Sequence, residues 1–228
     1  MTVDIVTGST SSHLVVLKQA AGHKIEHFIH RQVVEPLLKL QQAATEAGFD
    51  LKICSAFRSF DQQLAIWNGK ASGARAVLDE RGQPVDIGLL DAWQTIQAIM
   101  RWSALPGASR HHWGTDFDIY DAKAMPEGYQ IQLTPDEVQG SGLFAPMHDW
   151  LDQYIQSGNT DFYRPYEFDT GGIAPERWHL SYRPLADQYA AMQTMDVISQ
   201  RLQTSNLMLI DTVLEYLEEI YNRYILVD

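Results

Sequence analysis

Cysteine is nearly absent: Cys54 is the one thiol in 228 residues. No internal disulfide can form, and a zinc site built from cysteines is excluded. Cys54 lies in the apolar run LKICSAF and reads as a buried structural thiol rather than a nucleophile. Basic residues are also scarce, with 17 Lys and Arg against 29 Asp and Glu and a formal net charge of −12. Nucleic acid and anionic membrane surfaces are therefore poor partners. Long apolar runs are missing, and the opening MTVDIVTGST has no basic stretch followed by an apolar core. Neither a secretory leader nor a membrane span is expected, which points to a cytoplasmic protein, or a periplasmic one if a leader has been removed. No internal repeat is visible. What is present is ordinary for a globular chain: 45% apolar residues, enough for a full core in one large domain or one domain with a helical appendage.

The chemistry concentrates in two short stretches. Ser109 to Asp118 reads SRHHWGTDFD, placing two adjacent imidazoles, a glycine and two aspartates within ten positions. Glu176 to His179 reads ERWH. Together they supply two histidines, an aspartate and a spare glutamate, which is a ligand set for a catalytic zinc with an open position and a carboxylate beside it. His111 and His112 compete for the first ligand position. Thr115 to Tyr120 alternates as a strand, with Asp116 and Asp118 on one face and Phe117 and Ile119 on the other. Trp178 to Tyr182 also alternates, with His179 and Ser181 opposite Trp178, Leu180 and Tyr182. In a regular strand Glu176 and His179 point to opposite faces. If both reach one site the backbone must bend between them, and Pro175 is compatible with that.

Around these stretches the pattern predicts a mixed chain. Residues 1–22 are Ser/Thr-rich and weakly patterned. Helical spacing runs from His23 to Gly48 through Ile25, Phe28, Ile29, Val33, Leu37 and Leu40, with Pro36 as a kink or break. The segment HKIEH at its start matches an H-x-x-E-H metal pattern. It reads instead as the polar start of an amphipathic helix, since no downstream acidic ligand accompanies it. Asp50 to Ala56 reads as a strand. Ser59 is the expected N-cap of a helix through Leu64 and Trp67, which leaves Arg58 at a strand-to-helix junction. Residues 69–90 read as a loop or lid. Helices are expected over Leu89–Ala104 and Leu143–Tyr154, with His148 on the solvent face of the latter. After Pro184 the chain reads as helical to its end. The expected division is an N-terminal segment 1–22, a catalytic domain 23–184 and a helical appendage 185–228.

Three motifs in order resemble those of the zinc D-Ala-D-Ala carboxypeptidases and dipeptidases linked to vancomycin resistance, the VanY-like members of the LAS-type metallopeptidases. The pattern S-x-H-x-x-G-x-A-x-D is met at Ser109, His111, Gly114 and Asp118. The pattern E-P-W-H is met at Glu176, Trp178 and His179. The segment S-G-Y-R-S followed by Gln resembles Ser55, Phe57, Arg58, Ser59 and Gln63. Two positions depart: Asp116 stands where a small residue is usual, and Arg177 where proline is usual. Asp116 is expected to add negative charge near the metal, and Arg177 to leave the bend before His179 less constrained.

The resemblance implies an α+β fold of the LAS and hedgehog type: a small antiparallel sheet carries the metal, and helices pack on it. It implies Zn2+ held by His111, Asp118 and His179, with Glu176 as general base and Arg58 stabilising the oxyanion. His112 then packs or makes a supporting hydrogen bond. Ser109, Gln63 and Tyr182 are the expected substrate-binding residues. The implied activity is a zinc-dependent D-Ala-D-Ala carboxypeptidase acting on peptidoglycan-derived peptides. A D-Ala-D-Ala dipeptidase, an L-Ala-D-Glu endopeptidase and a non-catalytic zinc-bearing binding module are the alternatives, and the presence of Glu176 and Arg58 argues against the last.

Overall fold

A computed structural model of the chain describes residues 2–17, 26–80 and 82–226. Its centre is a four-stranded antiparallel sheet. The strands are β3 (Leu51–Ser55), β6 (Asp116–Asp121), β7 (Phe162–Tyr163) and β8 (His179–Tyr182), in the spatial order β3-β6-β8-β7. Two two-stranded ribbons complete the strand set among the described residues: β1 (Leu14–Leu17) with β2 (His27–His30), and β4 (Val77–Leu78) with β5 (Pro84–Val85).

The sheet has two unlike faces because β6 and β8 alternate. Phe117, Ile119 and Leu180 point into a core shared with Ile53 of β3. That core is closed by Leu37, Leu40 and Ala44 from α2 (Val34–Glu46) and by Met147 and Leu151 from α6 (Ala145–Gln156). Asp116, Asp118, His179 and Ser181 occupy the opposite face. The register pairs Asp118 with His179 and Asp116 with Ser181, so residues 61 and 65 positions apart in the chain become neighbours across the ladder.

Helices α3 (Phe60–Ala71) and α4 (Ala92–Met100) build a second core. Ser59 caps α3 in a reciprocal box with Gln62, and Asp91 does the same for α4 with Gln94. Phe60, Trp67, Ile96, Ile99 and Met100 pack there with Ile198 and Leu202 of α8 (Met195–Gln203), Val213 of α9 (Ile210–Glu215) and Ile220 of α10 (Leu217–Ile220). The Trp67 indole donates to the Met208 carbonyl at 3.0 Å, and Trp93 stacks on Tyr216 with centroids 4.3 Å apart. The remaining helices are α1 (Thr2–Val6), α5 (Pro135–Val138) and α7 (Arg183–Met192). No helix among the described residues is long and apolar enough to cross a membrane.

Several expectations are corrected. The helical reading fails over His27 to Val33. His27 to His30 form β2, paired antiparallel with β1 from Leu14↔His30 to Leu17↔His27, and α2 starts only at Val34. Ile29 and Val33 are buried as a helical reading requires, but strand, 3-10 turn and helix in succession satisfy that spacing equally well. Pro36 falls in the first turn of α2, where its missing N–H has no intrahelical partner to lose, so it starts the helix rather than kinking it. His23 lies outside the described residues. Residues 69–90 are more ordered than a loop: α3 runs to Ala71, and the β4–β5 ribbon and a 3-10 turn at Ile87–Leu89 follow. His148 is buried rather than solvent-facing, against the guanidinium of Arg164 at 3.2 Å.

Candidate metal centre and active-site cleft

The polar face of the sheet forms one wall of a cleft of about 480 Å³. The other wall comes from α3 and from the segment leading into β6, and Arg58, Lys70, Ser109 and Glu176 are among the lining residues.

His111 sits in a 3-10 turn, Arg110–Trp113, that ends at Gly114 with φ +68°. Only glycine fits there: a Cβ would lie 2.5 Å from the Leu14 side chain and 2.9 Å from the His30 amide nitrogen. The His111 Nδ1–H donates to the Ala56 carbonyl at 2.8 Å, so its Nε2 lone pair faces Asp118 Oδ2 at 3.5 Å. On β8, His179 Nε2–H donates to Asp116 Oδ1 at 3.1 Å. Its Nδ1 is 3.3 Å from Asp118 Oδ1. Both of those buried atoms lack a hydrogen-bond partner.

The residues fit a zinc ion. One donor atom from each of His111, Asp118 and His179 lies within 4.8 Å of the others. Asp118 reaches both imidazoles, His111 Nε2 through Oδ2 at 3.5 Å and His179 Nδ1 through Oδ1 at 3.3 Å, and neutral imidazoles with a carboxylate are the donor set zinc takes. The two buried atoms face each other at 3.3 Å, a gap that a proton or a cation can bridge. Burial pushes the His111 ring down to about 4, which favours the neutral form that a metal needs. Burial acts the same way on His179, but the carboxylates of Asp116 and Asp118, one at each ring nitrogen, outweigh it and raise the ring to about 9. Among the described residues this is the single His/Cys/Asp/Glu group with such convergence.

Glu176 arrives from a turn. The His179 amide donates to the Glu176 carbonyl at 3.0 Å, which supplies the bend that brings both side chains to one place. Glu176 Oε2 is 3.6 Å from His179 Nδ1. Burial, reinforced by the negative charge of Asp118, pushes its carboxyl up to about 7 against the opposing pull of His179, Arg58 and Lys70. Arg177 does not loosen this turn. Its guanidinium bonds Asp149 and Asp152 of α6 at 2.6 Å each and the Val138 carbonyl at 2.5 Å, so ion pairs pin the bend.

Arg58 lines the cleft with its Nη1 held by Gln63 Oε1 at 2.8 Å. Gln63 in turn donates to the Ala104 carbonyl at 2.6 Å and is fully buried. It does not line the cleft, and its visible work is to aim Arg58. His112 points away from His111: it pairs with the Arg58 carbonyl at 2.6 Å and accepts from the Gly107 amide at 3.1 Å. Ser109 lines the cleft as expected of a substrate contact. Tyr182 does not, and that expectation is corrected. The alternation of β8 turns it to the opposite face from His179, where its ring packs 5.2 Å from Phe162. Trp178 is nearly buried, stacks at 6.2 Å with Trp102 and lines the cleft with it.

Arg110 was not singled out from the sequence. It is buried and paired through Nε with Asp116 Oδ1 at 2.8 Å. The only signal for it was an arginine beside two histidines in a stretch that also carries an extra aspartate.

A family model described as VanY, D-alanyl-D-alanine carboxypeptidase, matches residues 26–185. The chain belongs to this family. The matched span contains Arg58, His111, Asp118, Glu176 and His179, and the family is one of peptidoglycan-related peptidases. Two Haemophilus influenzae proteins described only as uncharacterized are similar. One is 44% identical over 105 residues, 46% of this chain and 70% of that protein. The other is 32% identical over 123 residues, 53% and 92%. Among solved structures, VanYB in complex with D-alanine-D-alanine is 21% identical with a TM-score of 0.50, covering 85% of this chain and 90% of that one. The LdcB LD-carboxypeptidase is 21% identical with a TM-score of 0.51, covering 92% and 78%. The fold is therefore of the VanY-like, LAS-type α+β class, as expected from the sequence.

Proposed function

We propose that this chain is a zinc-dependent D,D-carboxypeptidase that removes a terminal D-Ala from peptidoglycan-derived peptides. The observation that carries the reading is the convergence of two unpartnered buried atoms, His179 Nδ1 and Asp118 Oδ1, with His111, directly beside Glu176. The presence of both Glu176 and Arg58 in the same cleft argues against a non-catalytic binding module. The D-alanine-D-alanine carried by VanYB, a protein of the same fold, supports the substrate class.

In this reading His111, Asp118 and His179 would hold the ion, and the chemistry it would supply is Lewis-acid activation of the carbonyl and of water. Glu176, beside His179 in the cleft, takes the proton from the attacking water and returns it to the leaving amine. Arg58, fixed by Gln63, points its guanidinium at the charge that develops on the carbonyl oxygen. Ser109 contacts the peptide from the cleft wall. The test is product analysis by mass spectrometry, with zinc-loaded protein offered a muramyl pentapeptide, the tetrapeptide and free D-Ala-D-Ala. Release of one D-Ala from the pentapeptide alone is expected. Cleavage of the free dipeptide, or cleavage between L-Ala and D-Glu, would replace the proposal with the corresponding family activity.

A further inference from the structure

Asp116 departs from the small residue usual in the motif, yet it is among the most constrained side chains in the molecule. It is fully buried. Its Oδ1 accepts from both Arg110 Nε at 2.8 Å and His179 Nε2 at 3.1 Å, and its Oδ2 accepts from the Thr115 hydroxyl at 2.6 Å. Arg110 is itself fixed: its Nη2 donates to Tyr163 at 2.7 Å and Ser181 at 2.8 Å, and its guanidinium lies 4.7 Å over the Trp113 ring. The network thus ties β6, β7 and β8 together directly behind one proposed ligand.

The geometry points to Asp116 and Arg110 as a positioning pair for the metal site: Asp116 fixes His179 as the Nε2–H tautomer with Nδ1 turned to the ion, and Arg110 neutralises the extra carboxylate. The physical argument has two parts. An ionised carboxylate only accepts, so the His179 nitrogen facing it must carry the proton, and the other nitrogen keeps its lone pair. A lone buried carboxylate at this place would be costly and would add charge to the ion's surroundings; a buried guanidinium bonded to the same oxygen removes both penalties. The expectation that Asp116 adds negative charge near the metal is corrected accordingly. An alanine at this position, as in the usual motif, could do neither.

This inference rests on the zinc reading above, and the experiment separates the two. Zinc affinity is measured by chelator competition on purified protein, without reference to turnover. The variants are Asp116→Ala/Arg110→Met, which removes acceptor and charge together, and Asp116→Asn, which keeps an oxygen acceptor. The double variant is expected to lose roughly 10–100-fold in zinc affinity, the usual effect of removing such a partner, while Asp116→Asn falls between it and the wild type. A folded double variant whose affinity stays well short of a tenfold loss overturns the positioning role alone. Wild-type protein that takes up no zinc overturns the metal reading and this inference with it. Nitrogen-15 NMR of zinc-loaded wild-type protein supplies a test that needs no variant: a proton on His179 Nε2 is expected, and a proton on Nδ1 overturns the inference.

Discussion

Replacing Glu176 by glutamine should slow the enzyme and stabilise the metal-free fold, and both effects follow from one buried carboxyl. Losing a general base costs about 10²–10⁴ in rate, or roughly 2.7–5.5 kcal/mol of barrier. The stability effect comes from linkage. Burial raises the Glu176 carboxyl from 4.5 to about 7, so between those values the folded protein keeps a proton that the unfolded chain has released. Stability therefore falls as pH rises through that window. The full cost, about 3 kcal/mol for a shift of roughly 2.5 units, is present at pH 8 and absent below pH 4.5. Glutamine has no such charge. Metal-free Glu176→Gln should accordingly unfold several degrees above wild type at pH 8 and at the same temperature near pH 4. Differential scanning calorimetry at the two pH values, with a D-Ala release assay on the zinc-loaded proteins, checks both halves. Turnover within tenfold of wild type would refute the base assignment. A variant less stable than wild type at pH 8 would refute the buried, proton-retaining carboxyl.

Other consequences are equally direct. Because His179 is raised to about 9 in the metal-free protein, zinc must displace its proton below that pH; apparent affinity by calorimetric titration should fall about tenfold per unit from pH 9 to 7 and level off above 9. The same raised ring stabilises the metal-free fold below pH 6.5, and that contribution is lost as pH rises through about 9. Arg58→Ala should lower kcat by about 10²–10³-fold, the usual loss of one oxyanion donor, while zinc content by atomic absorption stays at one per chain. Gly114→Ala forces a side chain into a left-handed residue already in contact with Leu14 and His30. A loss of more than about 1 kcal/mol in urea unfolding is expected, since the backbone conformation alone costs that much.

The site was legible because its chemistry dictates short spacings. His111, Gly114 and Asp118 fall within one turn and one strand, and β6 and β8 each announce themselves by alternation. The Ser59 cap was legible because a serine just before a helical run is a favoured N-cap, and the structure adds the reciprocal bond from Gln62. The failures involve partners distant in the chain. β2 was read as helix because its pairing strand, β1, lies in a weakly patterned segment and leaves no periodic trace in β2 itself. The burial of His148 depends on Arg164, and the anchoring of the Glu176 turn depends on Arg177 reaching α6. Tyr182 is a different case. The alternation that places His179 on the polar face already places Tyr182 on the other.

The two hydrophobic cores have a consequence for the cleft between them. One packs beneath the sheet and the other beneath α3 and α4, so the opposing walls are backed by different sets of apolar side chains. A peptide gripped by Arg58 on one side and by the His179 strand on the other would act as a clasp across that seam. Occupancy should then raise the melting temperature, since the peptide binds only when both walls are in place.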